Sequence, residues 1–131
     1  MSQENAELVR DFYAAWDRGD IQFILDRCDP HVEIVQPSEL PDATSYHGLE
    51  GVREAFEDWP RQWGEFEVEL VRVVDADEHR TISVNRQRLG ARGLGLEQEV
   101  VFLHTFKDGL ATRVDMFFSV NQAREAADVS R

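Results

Sequence analysis

In the stretch "EVVFLHTF", His104 alternates with Val100, Phe102 and Phe106. A strand's period of two puts these four on one face. A histidine on such a face can exchange a proton near neutrality as a general acid or base, or it can be an ordinary core histidine held by hydrogen bonds. In "TISVNRQRL", Arg86 and Arg88 share a face with Ile82 and Val84, opposite Thr81, Ser83, Asn85 and Gln87. Taking the apolar pair as the inner face turns both arginines inward, where they would hold a carboxylate or enolate. Gln36, after "HVEIV", adds an amide hydrogen bond, and Met116 and Phe118 extend the face of Val114. Asp115, one residue from Met116, falls on the opposite face.

Other chemistries lack their spacing. The four histidines are scattered, with no HxxxH, HxH or CxxC pattern, so no metal site is expected. "GARGLG" (90–95) lies between two strand patterns, whereas a phosphate-cradling loop needs a helix after it. No GxSxG marks a serine nucleophile, and nothing points to a nucleotide or flavin, so no cofactor is expected. His47, in "YHGLEGVREAF", sits on a loop before a helix with no partner at ligand spacing.

The elements that must position these residues follow from periodicity. Leu8, Phe12 and Trp16, with Val9 and Tyr13 beside them, mark a helix stopped by Gly19. Asp20 caps a short second helix ahead of Pro30. "HVEIVQP" reads as a strand, 38–47 as a polar loop, and "GLEGVREAFEDWPRQW" as a helix kinked or ended by Pro60. From 65 onward the period is two through four strands, with a hairpin at Asp108-Gly109. "NQAREAADV" is a terminal helix capped by Asn121. Helices followed by antiparallel strands make an α+β plan, with the helices over the concave face of one curved sheet. Tyr13, Trp16, Phe56, Trp59 and Trp63 are then candidate walls of an internal pocket.

Composition sets the bounds. The 131 residues suit one domain spanning 1–131. A formal charge of −12 makes nucleic acid and anionic membranes poor partners. No apolar run approaches a membrane span, the first residues lack a signal-peptide pattern, and the single Cys28 excludes an internal disulfide. A reducing cytoplasm is the expected compartment.

Five blocks, "VRDFYAAWDRGD", "LDRCDPHVEIVQP", "YHGLEGVREAF", "HTFKDGLATRVDMFF" and "NQAREAA", resemble in order the SnoaL-like branch of the nuclear transport factor 2-like superfamily. The resemblance implies a cone of helices closed over a curved antiparallel sheet, a deep pocket, and a homodimer formed through the sheet. It does not settle the function, because relatives include ketosteroid isomerases, limonene epoxide hydrolases, polyketide cyclases and proteins that only bind. Carried over by position, Gln36 stands where the isomerases have their general-base aspartate, Phe12 where they have a tyrosine, and His104 near their protonated aspartate. Arg86 matches the arginine of the epoxide hydrolases, but Arg88 and Met116 replace both aspartates, Ile34 replaces their tyrosine, and Gln36 stands in for their asparagine. His104 is similar to the cyclases' pocket histidine, with Met116 at the position of their acid.

Two functional readings follow, beside a plainer one in which Arg86 and Arg88 lie at the pocket mouth and pair with surface acids. One is a cofactor-independent isomerase, cyclase or hydrolase acting on a small carbonyl or enolisable, even anionic, substrate, with His104 as acid/base. The other is a non-catalytic binding protein for a small hydrophobic or carboxylated ligand. A carboxylate within reach of His104, from Glu33, Glu99 or Asp115, separates them.

Overall fold

The computed structural model describes residues 2–36, 45–63, 66–89 and 96–129. Helix α1 (Ser2–Asp17) runs to the expected stop, where Gly19 takes a φ of +72°. The Asp20 side chain then accepts from Phe23 N at 3.2 Å, capping α2 (Ile21–Asp26). Strand β1 (Cys28–Val35) is followed by a three-residue strand, β2 (Ser45–His47). The latter was expected to be loop; its buried Tyr46 pairs with Ile34. Helix α3 (Gly48–Trp63) continues through Pro60 instead of ending there. Its start is tight: a Cβ on Gly51 would lie 3.0 Å from the Tyr46 carbonyl carbon.

Strands β3 (Phe66–Asp75), β4 (Arg80–Leu89), β5 (Leu96–Lys107) and β6 (Leu110–Phe117) form an antiparallel meander. Asp108 and Gly109, with φ of 53° and 80°, make the hairpin between the last two. The sheet order is β2-β1-β6-β5-β4-β3, with β1 beside β6 as its parallel pair. Helix α4 (Val120–Val129) is capped by Ser119, not Asn121: Ser119 Oγ accepts from Gln122 N at 3.1 Å, and Gln122 Oε1 accepts from Phe118 N. The fold is the α+β cone that the sequence led us to expect.

Apolar packing covers both faces of the sheet. On the concave side, Val9 and Ala15 of α1, Ile24 and Leu25 of α2, Val52 of α3 and Val32, Phe106 and Ala111 of the sheet form one cluster. On the convex side, Ile82, Val84, Val101 and Leu103 pack against Ala123 and Ala127 of α4. Ile82 and Val84 therefore mark the side of α4, not the interior of the cone.

Candidate functional site

Inside the cone is a cavity of about 130 Å³ with an almost wholly apolar lining. Phe12, Tyr13 and Trp16 of α1 and Val52 and Phe56 of α3 form its helical wall. Trp16 and Phe56 meet with ring centroids 4.2 Å apart. The sheet contributes Val32, Ile34, Val68, Phe102 and Val114, with Gln87 and His104 as its polar members. Tyr13, Trp16, Phe56 and His104 are thus all lining residues of the cavity. Trp59 and Trp63 belong to α3, but their side chains lie outside the described part of the structure. Gln36, Met116 and Phe118 are not among the lining residues; Phe118, beyond the end of β6, is about one-third exposed, at 36%.

Arg86 and Arg88 are on the other side of the sheet. They follow Ile82 and Val84 to the convex face, past the end of the α4 contact, and are exposed. There Arg86 pairs with Glu69 at 3.5 Å, and Arg88 with Glu97 at 2.7 Å and Glu67 at 3.8 Å. The inward placement expected of them is corrected, because an apolar pair on a strand marks whichever face is covered and here both are. The residues that do turn inward are the polar set Thr81, Ser83, Asn85 and Gln87, all buried.

These residues build a hydrogen-bonded group around His104. Its ring lies between Phe102 and Phe106, nearly parallel to the latter at 14° and 6.3 Å. Its Nε2 is 2.8 Å from Ser83 Oγ, which is 3.2 Å from the Tyr13 hydroxyl. Asn85 Nδ2 reaches Ser83 Oγ at 3.2 Å and two backbone carbonyls, of Ser83 and Val100, at 3.3 Å each. Thr81 Oγ1, Asn85 Oδ1 and His104 Nδ1 have no hydrogen-bond partner among the described residues. Gln87 accepts from Gln98 Nε2 at 3.5 Å. The pattern of alternating Thr, Ser, Asn and Gln on one strand was visible in the sequence, but which face it occupied depended on α4.

Burial sets the electrostatics. It pulls His104 from its usual 6.5 down to about 4, so the ring is neutral at physiological pH. Burial also holds the Tyr13 hydroxyl well above its ordinary range, against opposing hydrogen bonds from Ser83 and Asn85. It pushes the Cys28 thiol, on the cavity wall, up to about 11. No carboxylate among the described residues lines the cavity. Glu33 pairs with Arg113 at 3.1 Å and His47 at 3.8 Å, Asp115 pairs with Arg113 at 2.9 Å, and Glu99 is exposed. Among the described residues no group of three or more His, Cys, Asp and Glu could hold a metal ion, and no helix is long and apolar enough to cross a membrane.

The same architecture occurs in solved structures. Bal32a, from a soil-derived mobile gene cassette, is 25% identical with a TM-score of 0.80, over 93% of this chain and 94% of its own. TerC, co-crystallised with polyporic acid, is 23% identical with a TM-score of 0.76, over 95% and 98%. A candidate SnoaL-like polyketide cyclase from Jannaschia sp. CCS1 is 14% identical with a TM-score of 0.74, over 96% and 92%. The last two likenesses are likenesses of fold alone. No curated protein matches the chain. A model of the SnoaL-like domain matches residues 9–114. With that match, the cone and its apolar cavity, the chain belongs to the SnoaL-like domain family of the nuclear transport factor 2-like superfamily.

Proposed function

We propose that the protein binds a small, uncharged, ring-sized molecule inside the cone without transforming it. The observation that carries this reading is an apolar cavity of about 130 Å³ that has polar side chains but no carboxylate among its described lining residues. An apolar cavity of about 150 Å³ accepts benzene, so a single six-membered ring is the matching size. A buried anion would need a fixed cation beside it. The arginines that could have served are on the convex face, paired with glutamates. His104, neutral and shifted to about 4, is a weak base at pH 7 and has no acid partner among the described residues to complete a proton-transfer pair.

Titration calorimetry with toluene, phenol, cyclohexanone and benzoate tests the reading. The three neutral rings are expected to bind with Kd values in the high micromolar to millimolar range, and benzoate not at all. Benzoate binding as tightly as phenol would overturn the proposal. A second reading, acid/base catalysis by His104 on a small carbonyl compound, is favoured by the continuous Tyr13–Ser83–His104 hydrogen-bond chain. It requires turnover on keto, enone or epoxide compounds that disappears in His104→Gln.

A further inference from the structure

The polar side chains around the cavity keep their polar atoms out of it. Tyr13, Gln87 and His104 are lining residues, yet the lining is almost wholly apolar, so what they present to the space is chiefly carbon. Their polar atoms are engaged elsewhere. His104 Nε2 lies 2.8 Å from Ser83 Oγ, and the Tyr13 hydroxyl lies 3.2 Å from the same oxygen. Gln87 Oε1 accepts from Gln98 Nε2 at 3.5 Å. Asn85 Nδ2 reaches Ser83 Oγ at 3.2 Å and the carbonyls of Ser83 and Val100 at 3.3 Å. Thr81 Oγ1, Asn85 Oδ1 and His104 Nδ1 have no partner among the described residues, and they are buried so completely that they show essentially no surface to a water-sized body in the cavity.

A hydroxyl or carbonyl brought into this space gives up its hydrogen bonds to water and meets carbon. Leaving one such group unpaired costs about tenfold or more in affinity. Water cannot bridge the gap, because a buried water needs two to four polar partners that these walls do not offer. Cys28 adds a thiol that burial keeps protonated, a weak donor that packs like a small apolar group. A hydrocarbon ring loses nothing of this kind. Against Phe12, Trp16, Phe56 and Phe102 it gains dispersion contacts and edge-to-face packing.

Building on the small-ring reading above, we propose that the ligand is a hydrocarbon ring, bare or alkyl-substituted, and that the cavity selects against hydroxyl and carbonyl compounds of the same size. The discrimination is by rejection: the wall has no attractive group for a polar ligand, and a polar ligand leaves its own group unpaired. The hydrogen-bonded set around Ser83 serves the fold, joining α1 to β4 and β5 through Tyr13 and His104, and does not touch the ligand.

The test is titration of the intact protein with two pairs of compounds matched in shape, toluene with phenol and methylenecyclohexane with cyclohexanone. Methyl resonances of Val32, Val52 and Val114, which line the space, show whether each compound binds inside it. In both pairs the hydrocarbon should bind more tightly by about tenfold or more. A smaller gap in either pair means that the polar group finds a partner, and overturns the proposal while leaving the small-ring reading intact. Ser83→Ala should keep the ratio of toluene to phenol affinity within about twofold of wild type. A loss of affinity confined to phenol in that variant would show Ser83 serving the ligand and overturn the proposal as well. If none of the four compounds binds, the small-ring reading itself fails and this proposal with it.

Discussion

A histidine held neutral by burial ties stability to acid. Folded His104 takes its proton at about 4, against 6.5 for an unperturbed histidine, so the unfolded chain protonates first as pH falls. Its contribution is fully present above about pH 6.5 and declines down to about pH 4. Over that window the loss is about 3 kcal/mol, at 1.36 kcal/mol per pK unit. Urea titrations at pH 7, 5.5 and 4 should show this slope in the wild type and a shallower one in His104→Gln. An equal slope in both would place the acid sensitivity elsewhere. The arginines give the contrasting case. Among the described residues the ion-pair partners of Arg86 and Arg88 are exposed glutamates, so the double replacement by alanine should leave ring-compound affinity within twofold of wild type. Such exposed pairs are individually weak, and little stability should go with them.

Features governed by a few adjacent residues read correctly at the level of elements. The Asp20 cap and the Asp108-Gly109 hairpin depend on local backbone geometry, and the structure has both. His104 was also found on the inner face, since Phe102 and Phe106 flank it there. The facing of β4 was not legible in the same way. Its two faces are both buried, one under α1 with polar side chains and one under α4 with apolar ones, and period two alone cannot say which helix covers which. Helix α4 thus determines the reading of β4, and its cap can be tested directly. Ser119→Ala should cost about 1 kcal/mol, the usual value of a lost N-cap, measured by thermal or urea unfolding. Asn121→Ala, at the position expected from sequence to cap the helix, should cost less than half of that.

For the molecule as a whole, the hollow in the cone carries a cost in stability, because an unfilled apolar space forfeits contacts its lining could make. Ala111 is buried at the cavity wall. Ala111→Leu should fill the space, abolish toluene binding and leave the melting temperature no lower than wild type. A fall in melting temperature with binding retained would mean the side chain points elsewhere. The parallel seam between β1 and β6 has a further consequence, in time instead of space. Strands β3 to β6 can zip together as successive hairpins, but β1 has as its neighbours only a three-residue strand and the last strand of the sheet. Glu33 on β1 meets Arg113 on β6 across 80 positions of chain. During synthesis the N-terminal third must therefore wait for β6 before the cone can close. The protein acquires an interior, and anything to bind with, only when its final strand has been made.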